Sequence, residues 1–444
     1  MVFPHLRRID KKELLLYIAN RVGVEKQMNK QAIIIGSGPA GLAAAVSVSR
    51  KGIRPLILER MHKPSMKLLA SGGGRCNFSN LEPQEEFMCK FGRNGLFMRD
   101  ALRFAPREYL LDFLISEQVK PELTDDFYYF PASGKAQDIA NAFLKASGAE
   151  VRTGMEVTDI RINDNQVCGV TLANGDILNA EAVILAGGGT AWAGLGSDAG
   201  LKLAQKAGHT IQKPLPAVAP LILKETWPGR LAGVTLPNAK LRLKAGRGSL
   251  VTRGSLLFTH EGLSGFPALD LAGEAAAWCD KHGSAELILT VRDDLDAQGW
   301  QEILDRDRQN SGGHPVRTML GDFMPRSLAK QLTELCGCSE VKTANLSASA
   351  QRQLIAMLNG VKLTVTGAGP LAKAMVMRGG ISLKEVNPVN LASRLVSGLY
   401  LAGEILDLAG PCGGYNMQWA FSSGFLAGES AALQLNSNKE GKAL

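Results

Sequence analysis

The chain has 444 residues, 45% hydrophobic and 21% charged, a balance that suits a globular protein with more than one core. No run of about 18 apolar residues occurs, so the sequence offers no membrane-crossing helix. The formal net charge is +8, but residues 1–30 carry seven Lys/Arg against three acids, so half of the excess sits in one N-terminal arm and overall charge is a weak pointer to nucleic acid.

The seven cysteines are odd in number and scattered, which argues against a disulfide framework and for reduced thiols in a cytoplasmic protein. Cys336-Gly337-Cys338 is too lean, without partners, for a zinc site or a redox disulfide. The arm at 1–28 places Leu14, Ile18 and Val22 at helical spacing and reads as a short amphipathic helix with basic flanks.

From Ala32 the pattern sharpens. Ala32 to Ile35 read as a buried strand, Leu42 to Ser49 as a helix, and Pro55 to Leu58 as a second strand. Gly36, Gly38 and Gly41 form GxGxxG between the first two, and Glu59 follows eighteen residues beyond Gly41. Gly36 permits the turn, Gly38 lets a pyrophosphate approach the backbone, and Gly41 lets helix and strand pack closely. The helix N-terminus, with Pro39 and Ala40, offers amides to phosphate, and Glu59 suits ribose hydroxyls. This unit fits NAD or FAD equally.

Next comes "SGGGRCN" at 71–77, three glycines followed by Arg75, Cys76 and Asn77. Residues 151–189 are strand-rich, with an Asn174-Gly175 turn, and contain the glycine run 187–189. Lys240, Arg242 and Lys244 alternate and so share one strand face, with Arg247 and Arg253 following. That face either tracks phosphates or is an ordinary solvated one. Residues 290–356 read mainly as helix. At the end, Leu399 to Ala402 form a strand leading into Gly403-Glu404, and Gly413-Gly414-Tyr415-Asn416 open a small-residue helix from Met417.

Together "SGGGRCN", "YFPASGKAQDI" at 129–139, "ILAGGGTAW" at 184–192, "LLFTHEGLSGFPAL" at 256–269, "GGISLKEVNP" at 379–388 and the 398–424 stretch resemble the bacterial YhiN/BaiN-type NAD(P)/FAD-dependent oxidoreductases over about residues 30–435. The resemblance implies an α/β fold: a glutathione-reductase-like, discontinuous Rossmann-type FAD-binding domain with an inserted β-rich domain and a smaller helical one. The expected boundaries are the arm at 1–28, FAD-binding residues 29–193 and 382–444, the β-rich domain at 194–262 and 359–381, and the helical domain at 263–358. FAD contacts are expected from Gly36, Gly38, Pro39, Ala40, Gly41, Glu59, Arg60 and Lys67, and from Ser71, Gly72, Gly73, Gly74, Arg75, Cys76 and Asn77. Val157, Ala186, Gly187, Gly188, Gly403, Glu404, Gly413, Gly414, Tyr415, Asn416 and Met417 complete the set. In the loop at 71–77, missing side chains let backbone amides close on the cofactor, Ser71 and Asn77 hold the turn, and Arg75 complements phosphate charge. The chain departs from the family pattern at Ala409 to Gly414, where Pro411 and Cys412 stand beside the expected flavin, and at Ala199 in place of a glycine.

The resemblance implies hydride transfer from NAD(P)H through FAD to an activated C=C bond: an enone of a bile-acid-like molecule or uridine C5–C6 in 23S ribosomal RNA. An amine or ketone oxidase and a non-catalytic flavin-binding module are the alternatives. Candidate proton donors are Cys76, with a thiol lowered by Arg75 and loop amides or else simply packed, His260, lining a cleft or packed, and Tyr415, a donor or a ring against flavin. Trp192 and Tyr415 are candidate platforms for a flipped base, and His209 a helix cap. No metal site is expected.

Overall fold

The computed structural model describes residues 32–246, 248–310 and 312–440; the basic arm at 1–28 and Arg247 lie outside the described residues. Following the chain, β1 (Ala32–Ile35), α1 (Pro39–Arg50), β2 (Leu56–Glu59), β3 (Glu150–Thr153) and β4 (Ala182–Leu185) come first. Then β5 (Leu221–Leu223), β6 (Thr235–Ala245), β7 (Gly248–Phe258), β8 (Gly262–Ser264), α2 (Phe266–His282) and β9 (Ala285–Thr290) are laid down. Helices α3 (Arg326–Leu335) and α4 (Ala348–Asn359) precede β10 (Val361–Ala368), β11 (Leu399–Leu401) and the long α5 (Tyr415–Glu440).

Five strands form a parallel sheet in the order β11-β4-β1-β2-β3. β1 and β4 are buried at every residue, which explains why AIII and AVIL are uninterrupted apolar runs. Strand β11 comes from near the C-terminus and extends the sheet beside β4, in register Val183 to Leu399. The chain therefore leaves the nucleotide-binding sheet and returns to close it.

Helix α5 lies across α1 without intervening side chains. A Cβ at Gly424 would stand 2.2 Å from the Ala40 carbonyl oxygen, and one at Gly428 would stand 2.3 Å from that of Ala44. These two glycines, one helical turn apart, set the backbone-to-backbone approach that joins the first and last parts of the chain.

The inserted part is a closed antiparallel barrel, β5-β8-β7-β6-β9-β10. Along β6, Leu241 and Leu243 point inward and are fully buried, so Arg242 and Lys244 face out. The segment 263–358 is not wholly helical, contrary to expectation. It supplies the barrel with β9, paired to both β6 and β10, because Leu287 and Leu289 complete the barrel interior. Helix α2 packs on the same barrel, while α3 and α4 belong to a helical block around Trp300, Leu328, Leu332 and Leu354. A short antiparallel ribbon, Ile211–Pro216 with Met377–Ile381, carries the chain between sheet and barrel. Among the described residues no helix is long and apolar enough to cross a membrane.

Candidate active site

A cavity of about 530 Å³ opens over the carboxyl ends of β1, β2 and β4, where an open α/β sheet binds ligands. One end is built by the β1–α1 turn. Gly38 is the extended N-cap of α1, with Pro39 following and no side chain capping the helix, so its first amides are left for a ligand. A Cβ at Gly38 would meet nothing within 4 Å, whereas one at Gly41 would stand 1.9 Å from the Gly36 carbonyl oxygen. Gly38 thus keeps the cavity floor open, and Gly41 is a packing residue beneath it.

Glu59 ends β2 and lines the same cavity. Its Oε2 accepts from the Ser37 amide at 2.9 Å and the Ser37 hydroxyl at 2.5 Å, and its Oε1 from the Met61 amide at 2.8 Å. The carboxylate is thereby fixed against the turn, with lone pairs remaining for ribose hydroxyls. Arg60, Val157, Ala186, Gly187 and Gly188 line the adjoining wall.

Lys67 and Glu404 meet across 337 residues of chain, Nζ to Oε2 at 2.5 Å, and both line the cavity. Glu404 Oε1 also accepts the Met377 amide at 2.9 Å, so the carboxylate is clamped and the ammonium is aimed by it. The ammonium retains two further protons for an acceptor.

The other end is a turn of glycines under aromatic rings. Asn416 closes residues 410–416 on themselves: its Oδ1 accepts the Gly410 amide at 2.8 Å, and its Nδ2 donates to the Gly410 and Pro411 carbonyls at 2.9 and 3.1 Å. Cys412, Gly413, Gly414, Asn416 and Met417 line the cavity. Across from them stand Phe266 and Leu269 at the start of α2. Phe266 is 53% exposed, with its ring nearly parallel to that of Tyr128, 12° apart and 6.4 Å between centroids. Asp270, one residue after Leu269, accepts the Cys412 amide at 2.9 Å. Its carboxyl remains accessible to solvent, yet the surrounding protein raises it above the usual carboxylate range, partly offset by the Cys412 hydrogen bonds. Burial, then the Asp270 charge, pushes the Cys412 thiol up in turn.

The family model described as HI0933-like protein Rossmann domain matches residues 30–430. The chain belongs to this family. A 3-dehydro-bile acid delta(4,6)-reductase of Clostridium scindens is 30% identical over 407 residues, 90% of this chain and 98% of the relative. A ribosomal RNA dihydrouridine synthase of Escherichia coli is 29% identical over 401 residues, covering 88% and 95% of the two chains. In fold, the chain is similar to 3-ketosteroid delta1-dehydrogenase from Sterolibacterium denitrificans, with a TM-score of 0.50 at 12% identity, over 91% of this chain and 100% of that one. The chain is an FAD-binding oxidoreductase of the HI0933-like family.

The cavity residues fit FAD. The uncapped helix N-terminus and open Gly38 suit its pyrophosphate, and Glu59 suits its ribose. Lys67, aimed by Glu404, would offer its ammonium to an acceptor on the cofactor. The three glycines after Ser71 adopt left-handed backbone, φ 57° at Gly72, 67° at Gly73 and 88° at Gly74, which side chains rarely tolerate. Ser71 pins this loop by donating to the Leu68 carbonyl at 2.6 Å and accepting the Cys76 amide on its own carbonyl at 3.0 Å. Ser71, Gly72 and Asn77 line the cavity; Gly73, Gly74, Arg75 and Cys76 do not.

Several expected roles are corrected. Arg75 does not reach the phosphate end, because its guanidinium lies over the Phe130 ring, 4.2 Å from the centroid. Cys76 is fully buried, and burial pushes its thiol up to about 12, opposite to the expected activation. His260 is exposed at the turn between β7 and β8 and does not line the cavity. Tyr415 is buried beside the cavity wall rather than in it: its hydroxyl donates to Glu82 Oε2 at 2.5 Å, and burial with this acceptor pushes its pKa up. Gly403 contacts Ala40 rather than the cavity, where a Cβ would stand 2.8 Å from the alanine methyl. The His209 amide closes its helix end on Ala204 at 2.9 Å, while its buried ring joins Glu385 at 3.2 Å and Ser393 at 2.9 Å.

On the cationic strand face, Lys240 and Arg253 share Asp293, at 2.9 and 2.5 Å, and Lys244 pairs with Glu286 at 2.5 Å. Two carboxylates, Asp293 and Glu286, thus stand against four described cations, Lys240, Arg242, Lys244 and Arg253. Among the described residues no group of three His, Cys, Asp or Glu is placed to hold a metal. Asp270, Tyr128 and Phe266 escaped sequence reasoning. The signal available was "LSGFPALD", which places an aromatic and an acid at i and i+4 on one helix face.

Proposed function

We propose that the chain reduces an activated C=C bond in a planar ring, adding hydride to the β-carbon and a proton to the α-carbon, with NAD(P)H oxidised to NAD(P)+. Bound FAD supplies the two-electron hydride chemistry. The observation that carries the reading is the end wall of the cavity, where the Phe266 ring and Leu269 stand beside the glycine turn, with Asp270 next to that lining and bonded to its Cys412. The ring and the apolar walls favour a flat, poorly hydrated substrate. Asp270, held by the Cys412 amide and with its carboxyl raised from its ordinary value by burial, is the candidate proton donor to the α-carbon. Lys67, oriented by Glu404, holds the cofactor edge. Seven free thiols accord with a cytoplasmic setting.

A cyclic enone is the favoured substrate class, since Phe266 and Leu269 give the end of the cavity an apolar wall. The second reading is uridine C5–C6 in ribosomal RNA, favoured by the name of the Escherichia coli relative. The two are separated by incubating the holoenzyme with NADPH and a steroid dienone, and in parallel by digesting ribosomal RNA from a deletion strain to nucleosides. Dienone turnover with unchanged RNA supports the enone reading. Loss of a nucleoside two hydrogens heavier than uridine, without dienone turnover, replaces it.

A further inference from the structure

Far along the chain from the cavity, the helical block gathers three sulfur atoms. Helix α3 ends at Leu335, and Gly337, at φ 67°, turns the chain so that the Cys338 amide returns to the Thr333 carbonyl at 2.9 Å. This closure brings Cys338 back towards Cys336, two residues earlier, so that the two thiols interact. Cys336 Sγ then lies 3.6 Å from Met357 Sδ, which α4 presents from the opposite side. Cys336 and Met357 are half-buried, Cys338 is buried, and none of the three lines the cavity.

We propose that Cys336, Cys338 and Met357 form a binding site for a soft monovalent cation of the Cu(I) class. Two thiolates and a thioether are the donors such an ion prefers, and the set contains no nitrogen or oxygen that would favour zinc or magnesium. The site also lies at the carboxyl end of α3, where the helix dipole favours positive charge. Binding displaces the thiol protons.

Anaerobic titration of the holoprotein with Cu(I) against a coloured Cu(I) chelator tests this. Wild type should withdraw one more copper than C336S/C338S, and Met357→Leu should keep that copper but hold it at least about ten-fold more weakly. Flavin content and melting temperature of each variant report folding. Equal uptake by wild type and C336S/C338S overturns the proposal. So does a wild-type mass two hydrogens lighter under copper-free, reductant-free conditions with no copper uptake, which would make the pair a disulfide.

Discussion

Two loops of this molecule share a vocabulary of glycine, cysteine and asparagine, and use it differently. In residues 71–77 the left-handed glycines curl the backbone towards the cavity while Cys76, itself at φ 60°, is turned inward and sealed. In residues 410–416 the asparagine ties the loop to itself, and Cys412 is left on the cavity wall, hydrogen-bonded through its amide to Asp270. The first loop lines the cavity through Ser71, Gly72 and Asn77, the second through Cys412, Gly413 and Gly414. Chemistry follows the side on which a residue is presented, not the residue's reputation for reactivity.

That contrast can be broken in graded steps. The largest effect is expected beneath both loops: Gly424→Leu drives a side chain into the Ala40 backbone, at a cost at or above the roughly 1–3 kcal/mol of core overpacking. Soluble yield and FAD per chain should collapse together. A folded, flavin-replete variant would show that α1 and α5 are not locked by that contact.

Asp270→Asn comes next. Removing the proton source should lower kcat by about 10²–10⁴ while FAD content stays at the wild-type level. The wild-type rate should fall as pH rises through the raised Asp270 pKa, because the acid is then lost, and this limb should vanish in the variant. A pH profile that keeps the limb assigns the proton elsewhere.

Lys67→Met leaves Glu404 without its partner at the cofactor edge. FAD should then dissociate roughly ten-fold more readily, in keeping with the 1–3 kcal/mol of a charge-assisted hydrogen bond, as read by ultrafiltration of the flavin. The smallest effect belongs to Cys76→Ala. Stability should fall by about 1 kcal/mol for the lost buried atom, with steady-state kinetics unchanged. A large loss of kcat would restore Cys76 to the chemistry.

How much of this could be read from the sequence follows from how local each signal is. The β1–α1–β2 unit is written in adjacent residues: an apolar strand, glycines at fixed offsets, and an acid at the end of the next strand. Nothing else was needed to place Gly38 and Glu59 in one cavity. The return of the chain to the sheet came through resemblance, as did Lys67 and Glu404 as separate cofactor contacts, but not their pairing. Three things were hidden because they are settled by packing across long separations. Asp270 meets Cys412 over 142 residues. Gly424 and Gly428 look like ordinary small helix residues until α1 lies against them. The apolar run at Ala285 to Leu289 read as part of a helical insert, and became a strand only because β6 and β10 offered it two edges. Cys76 was misjudged for the converse reason: its neighbours in sequence are charged and flexible, while its neighbours in space are apolar.

The central claim is that this cavity passes electrons from a nicotinamide through FAD to a carbon–carbon double bond. The direct measurement is an anaerobic double mix. Excess NADPH is first added to the holoenzyme, and a cyclic dienone follows once the nicotinamide is removed. The account predicts that the visible flavin absorbance is lost in the first step and returns in the second, with one double bond saturated per flavin. Absorbance that survives NADPH, or returns only when oxygen is admitted, would contradict it.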